Sequence, residues 1–384
     1  MKKIPLVSII INNYNYGRFL AQAIDSALNQ TYKNIEVIVV DDGSTDGSRE
    51  IITQYDTHIQ AFFKTNGGQT SALNLSFSKS SGEIIFFLDA DDLLIFSAVE
   101  RAVQIFQNYT ETVKVHWPLW LIDESNKKTG AIIPRETLSE GDLLDMIVKN
   151  GPDGHCYPPT TGNAWDRKFL NKVLPLPEVE RQYNVGSASA DSCMSMLAPL
   201  FGNIRSITEP QGCYRIHGQN DYSSISFEKK LKRNLSIYNH RCMLLEKYCH
   251  RMGIFTNQNI WKENSWEHKI HLAIEELLSI ISPENTFIFL DDEQWGVDAM
   301  IFGRRRIPFI EKNGQYWGPP PDDDTAIFEF ERLRQGGADF IVFAWPAFWW
   351  LEHYKGFYEH LKKEFKIILR NDRLIIFDLL QQES

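Results

Sequence analysis

Three carboxylates, Asp89, Asp91 and Asp92, fall within four consecutive positions, with only Ala90 among them. Acids this close repel one another unless a cation or strong hydrogen-bond donors balance them, so the stretch points first to a divalent metal. A solvated acidic turn that caps the following helix is the competing use of the same residues. Immediately before them, residues 84–88 read IIFFL. An apolar run of that length without alternation suits a strand buried on both faces, whose carboxyl end delivers the charge to one place.

The segments upstream decide between the two uses. Residues 6–11 form a β-branched apolar run followed by Asn12, Asn13, Tyr14 and Asn15. Phe19, Leu20, Ala23, Ile24, Ala27 and Leu28 then recur at helical spacing. Residues 35–40 are a second buried strand closing on Asp41-Asp42-Gly43-Ser44, with Ser44 or Asp46 suited to cap the next helix. Residues 58–63 give a third strand, and Asn66-Gly67-Gly68-Gln69 turns into another helix. This alternation predicts an α/β fold with a doubly wound, mostly parallel sheet. Such sheets bind ligands outside the carboxyl ends of their strands. Three strand ends carry polar residues at that edge, which favours a functional acidic turn. Neither GxGxxG nor GxxxxGK[ST] occurs, so the glycine cradles for phosphate are missing. A diphosphate bound here needs another source of positive charge, and Mg2+ or Mn2+ shared between one or two carboxylates and the phosphates supplies it.

Composition narrows the class. A formal charge of −10 over 384 residues argues against sequence-independent nucleic-acid binding. No apolar run approaches the ~20 residues of a membrane span. The apolar stretch after Met1-Lys2-Lys3 is broken by Asn12 and Asn13, and it reads as a strand, not a signal peptide. Five scattered cysteines without a CxxC pair fit a reducing cytoplasm.

The run VSIIINNYNYGRFLAQAIDSALNQTYKNIEVIVVDDGSTDGS, then NGGQTSALN, then GEIIFFLDADD resembles the N-terminal half of family-2 glycosyltransferases of the GT-A fold. The likeness is continuous over about the first hundred residues. It implies an inverting transferase that takes sugar from a nucleotide-diphosphate donor, a UDP-sugar first, to a hydroxyl of a glycan or lipid-linked acceptor in surface polysaccharide synthesis. It implies that Asp42 contacts the base, that Asn12 and Tyr14 line the nucleotide pocket, and that Asp89 and Asp91 form the DxD motif. Asp91 is then the direct metal ligand, Asp89 serves metal or ribose, and Asp92 supports the turn. The Gly- and Pro-rich segment 151–165 resembles the family's acceptor side, making Thr161, Gly162 and Asn163 candidate sugar contacts.

Asp191 opens a helical pattern through Met194, Leu197 and Leu200, where an acid ordinarily serves as a cap. The resemblance makes it the general base, with Glu178, Glu180 and Asp221 as weaker candidates. A lone His is ordinarily structural, but Tyr214-Arg215-Ile216-His217 resembles the family's YRxH segment, which implies His217 on the metal or the diphosphate and Arg215 on the metal, the diphosphate or the sugar. The rival reading is a non-catalytic nucleotide-sugar-binding scaffold that acts through its C-terminal part. The expected location is the cytoplasm, with contact at the inner face of the membrane.

The expected domains are 1–222 for the transferase, 223–283 for a helical connection and 284–384 for a small α/β domain of unknown role. Residues 113–122 are strand-like, and 227–251 and 264–281 are helical. In the last domain Trp350, Tyr354, Phe357, Tyr358 and Leu361 form a one-sided helical stripe, expected to be core.

Overall fold

The structure, a computed structural model, describes residues 4–177, 190–218, 226–296 and 300–382. The chain divides into two compact units, Met1–Ser223 with Ser236–Lys262, and Ser224–Leu235 with Glu263–Ser384. The helix Phe227–Arg251 is shared between them.

The first unit contains β1 (Val7–Asn13), β2 (Ile35–Asp41), β3 (Gln60–Phe63), β4 (Ile84–Asp89), β5 (Leu93–Leu94) and β6 (Thr112–His116). It continues with β7 (Leu119–Ile122), β8 (Lys128–Ile133), β9 (Asn163–Asp166), β10 (Asn203–Ser206) and β11 (Gly212–Arg215). Seven of these form one sheet in the order β10-β6-β9-β4-β1-β2-β3. β1 runs parallel to β2 on one side and β4 on the other. Its odd and even residues serve different faces. Ile9 and Ile11 pack with Leu20, Ala23 and Ile24 of the helix Gly17–Leu28. Ile10 packs with Leu73 and Phe77 of the helix Gln69–Lys79. Burial on both faces explains why these strands carry apolar runs with no alternation.

Register positions the site. Asn12 lies opposite Asp89, and Asn13 lies opposite Asp41, so the polar ends of β1, β2 and β4 share one edge.

Two expectations are corrected. Residues 113–122 are two strands, because Pro118 has no N–H to continue a ladder. β6 stays in the main sheet, while β7 joins a second, four-stranded sheet in the order β5-β11-β7-β8. That sheet pairs Leu94 with Gly212, which brings the acidic turn to the YRIH segment. The segment 151–165, whose Gly and Pro content predicts no regular structure, is also not wholly irregular. Its end forms β9, which inserts antiparallel between β4 and β6 and buries Ala164 and Trp165. Four residues are too few to show a period.

The second unit contains β12 (Thr286–Leu290), β13 (Met300–Ile301), β14 (Arg304–Pro308), β15 (Glu311–Lys312), β16 (Gln315–Tyr316), β17 (Phe340–Ala344), β18 (Phe365–Arg370) and β19 (Leu374–Gln382). Its sheet has the order β13-β14-β12-β17-β19-β18, with β12 parallel to both β14 and β17. Trp350, Tyr354, Phe357 and Leu361 are buried in its core. Trp350 lies on the helix Trp349–His353, Phe357 and Leu361 lie on Lys355–Glu364, and Tyr354 is the break between them, where the spacing predicted one helix. Among the described residues no helix is long and apolar enough to cross a membrane.

Candidate active site

At the carboxyl edge of the first sheet, the Asp41-Asp42 turn and the Asn66-Gly67-Gly68 turn are fastened together. Asp42 is buried, and it accepts hydrogen bonds from Lys64 and from the amides of Gly67 (2.8 Å) and Gly68 (2.7 Å). Asp41 accepts from Asn13 Nδ2 at 3.0 Å and from the Ser44 amide at 3.1 Å. Gly43 adopts φ 80°, and a Cβ there would stand 2.6 Å from the Asn66 nitrogen, so both the backbone conformation and the space require glycine. Asn12 Oδ1 is buried without a hydrogen-bond partner beside this edge. Tyr14, 46% exposed, offers its ring at the rim.

The three acids of the turn have separate surroundings. Asp92 is enclosed; its Oδ2 accepts from Thr161 Oγ1 at 2.7 Å and its Oδ1 from the Arg215 amide at 2.9 Å. It joins the turn, the residues before β9 and β11. Burial, and then the charges of Asp91 and Asp89, raise its pKa well above the ordinary value. Asp91 Oδ2 lies 2.9 Å from His217 Nε2, whose imidazole is packed against Phe19 and Tyr16. For Asp89, burial and then Asp91 and Asp191 push the pKa up to about 8, against a hydrogen bond from Thr160. Crowding of the acids therefore disfavours full ionisation of the corner, and a proton or a cation relieves it.

Among the described residues no three His, Cys, Asp or Glu side chains converge as a cation cage. Asp91 and His217 do come together. Two protein ligands suit Mg2+ or Mn2+ that completes its coordination with ligand phosphates, and the donor set therefore fits a shared cation.

Asp191 stands in the first turn of the helix Ala190–Leu197. It is 9% exposed, its Oδ1 has no hydrogen-bond partner among the described residues, and its charge reaches Asp89. The structure thus brings this acid to the DxD corner from about a hundred residues away.

Sequence reasoning missed Lys114. Its ammonium is enclosed, donates to Ser195 Oγ at 2.8 Å, and lies 5.1 Å and 4.9 Å from the ring centroids of Tyr157 and Trp165. Burial brings its pKa down to about 7, against the opposing pull of Asp191. A lysine between two valines in TVKVH was the visible signal. Arg241 supports the same wall, donating to the Tyr157 hydroxyl at 2.8 Å and to Asp153 at 2.7 Å.

Four candidate sugar contacts take different positions. Thr161 is fully buried and bridges Asp92 to the Asp89 amide. Gly162 is enclosed, with Pro158 side-chain atoms 2.6 Å from where a Cβ would stand. Asn163 Nδ2 donates to the carbonyls of Pro159 (2.7 Å) and Thr160 (3.1 Å) in its own turn. Arg215 is also fully buried: Nε donates to the Asp91 carbonyl at 2.7 Å, Nη1 to Asn126 at 2.6 Å and Nη2 to Gln22 at 3.0 Å. Thr161 and Arg215 thus hold the acidic turn, while Asn163 fastens its own turn. Glu178, Glu180 and Asp221 lie outside the described residues.

The first unit is thus an open α/β sheet whose carboxyl edge gathers paired acids. Residues 8–160 match the family model for glycosyl transferase family 2. An uncharacterized glycosyltransferase of Nostoc sp. is 38% identical over 222 residues, covering 57% of this chain and 67% of its own. One from Rickettsia typhi is 41% identical over 145 residues, covering 38% of this chain and 45% of its own, so the chain spans under half of that relative. Among solved structures, S. aureus TarS residues 1–349 with UDP-GlcNAc aligns at TM-score 0.46 and 18% identity, covering 70% of this chain and 79% of that one. The mannosyltransferase PcManGT of Pyrobaculum calidifontis, with GDP-Man and Mn2+, aligns at 0.44 and 16%, covering 72% and 76%. The chain belongs to glycosyltransferase family 2, with an additional C-terminal unit.

Proposed function

We propose that this glycosyltransferase is metal-dependent and inverting, and that it moves a sugar from a UDP-sugar to a hydroxyl of a glycan or lipid-linked acceptor in surface polysaccharide synthesis. Its place is then the cytoplasm, at the inner face of the membrane that carries such acceptors. The observation that carries the reading is Asp191, a nearly buried carboxylate with an unpartnered oxygen, set within electrostatic reach of Asp89.

In this reading Asn12, Tyr14 and Asp42 hold the nucleoside, with the Tyr14 ring stacking on the base and Asp89 on the ribose or the metal. Asp91 and His217 hold Mg2+ or Mn2+, which when bound stabilises the departing diphosphate as a Lewis acid. Asp191 Oδ1 accepts the proton of the acceptor hydroxyl as that oxygen attacks the anomeric carbon. One displacement of this kind inverts the configuration there. Lys114 is a positioning residue, holding Ser195 one helical turn beyond Asp191.

The test is turnover of a UDP-sugar panel with Mn2+ by the wild type and Asp191→Asn. Loss of about 10²–10⁴-fold in turnover is expected, with UDP binding retained. Unchanged turnover in the variant would remove Asp191 from the chemistry, and a retained anomeric configuration in the product would overturn the single displacement.

A further inference from the structure

We propose that the second unit carries its own binding site for a neutral saccharide. β12 is the strand at which the connectivity of this sheet reverses. The chain leaves it for β14 on one side and later returns to β17 on the other, and all three run parallel. Open α/β sheets bind ligands in the crevice outside the carboxyl ends at such a point. On the β14 side of that point lies a cavity of about 380 Å³, walled by residues that follow β12, by the end of β14 and by the β15–β16 hairpin. That volume is in the range of roughly 300–1,000 Å³ typical of small-ligand sites.

The chemistry of the walls selects the ligand. Asp291, Asp292 and Glu293 supply carboxylates, and Arg306, only 6% exposed, supplies a guanidinium. Arg306 Nη1 lies 3.6 Å from Asp291, and its Nη2 donates to the Gly296 carbonyl at 2.6 Å. Asp292 is held in place by two indole N–H groups, Trp349 at 2.6 Å and Trp350 at 3.3 Å. Asp292 and Glu293 both adopt left-handed conformations, φ 51° and 57°, unusual for two successive residues with side chains. Tyr316 adds aromatic surface, above the buried Phe309.

The carboxylates disfavour a phosphate, and Arg306 already faces one of them, Asp291. No three of the described acids gather around one metal position. Carboxylates, guanidinium and aromatic surface together suit an uncharged ligand that donates and accepts hydrogen bonds at its edges and has an apolar face. A sugar ring meets those terms: its hydroxyls donate to the carboxylates, and its C–H face rests on Tyr316. Burial and the neighbouring acids push the Tyr316 hydroxyl up to about 12, so it stays a donor.

The full chain tests this by saturation-transfer NMR and tryptophan fluorescence. The probes are glucose, galactose, mannose, rhamnose, N-acetylglucosamine and maltose, with choline and inorganic phosphate as charged controls. At least one sugar is expected to bind saturably in the presence of excess UDP and in Asp91→Asn. Asp292→Asn is expected to weaken it at least tenfold. Tyr316→Ala, on the short hairpin, gives the same reading if the first variant fails to fold. The inference is overturned if no sugar binds, if binding disappears in Asp91→Asn but persists in Asp292→Asn, or if choline or phosphate binds this site in preference to every sugar.

Discussion

At the scale of single residues, neighbours in the same acidic turn are given opposite tasks by their hydrogen bonds. Both oxygens of Asp92 are occupied from within the protein, by Thr161 and by the Arg215 amide. Asp91 faces His217 and keeps part of its surface open. Asp91→Ala is therefore expected to lower transfer by about 10²–10³-fold or more while leaving the unfolding midpoint almost unchanged. Asp92→Ala is expected to cost about 1–3 kcal/mol of stability for each buried partner left without a hydrogen bond. Activity assays and urea melts of the two variants together check the division. Lys114 yields a pH signature. Below about pH 7 the folded chain holds a buried charge, and its cost is fully present. Between that value and the ordinary 10.5 only the unfolded chain is protonated, so stability rises with pH. Relative to Lys114→Met, the wild type is expected to gain in urea midpoint between about pH 7 and 9. A difference that stays flat with pH would mean that the ammonium remains charged in the fold.

At the scale of elements, the site depends on turns that meet after their strands have aligned. The Asp41–Ser44 turn and the Asn66–Gly68 turn pack so closely that Gly43 has no room for a methyl group and adopts a positive φ. Gly43→Ala is expected to destabilise the protein by roughly 1–3 kcal/mol and to weaken UDP binding, since Asp42 takes its amide partners from the facing turn. Calorimetry of UDP binding measures the second effect directly. Most of these elements were legible locally. The runs at 6–11, 35–40 and 84–88 are apolar because both faces of their strands are covered. β9 and the break at Pro118 were less visible. One is too short for a period, and the other divides a strand-like run between two sheets.

At the scale of the whole molecule, two units with separate cores carry separate candidate sites, one at each sheet's carboxyl edge. Ligands that bind only the native state raise its stability, by about 2.7 kcal/mol at a hundredfold excess over Kd. UDP with Mn2+ is expected to raise the melting midpoint of the unit that holds residues 1–223, and Asp91→Ala to abolish the Mn2+-dependent part. Differential scanning calorimetry reads the change.

The sequence by itself determined the alternating α/β order, the polar strand ends at Asn12, Asp42 and Asp89, and the acidic turn after β4. Each is a local pattern, set by which neighbours in the chain must be buried or turned. Only the tertiary structure supplied the partners of these acids. Thr161 meets Asp92 across 69 positions, and His217 meets Asp91 across 126. It also enclosed Arg215, Gly162 and Asn163, and it set Lys114 behind Asp191. Spacing in a chain fixes which face of an element a residue occupies, but the partner opposite that face is chosen when sheets and turns close on one another.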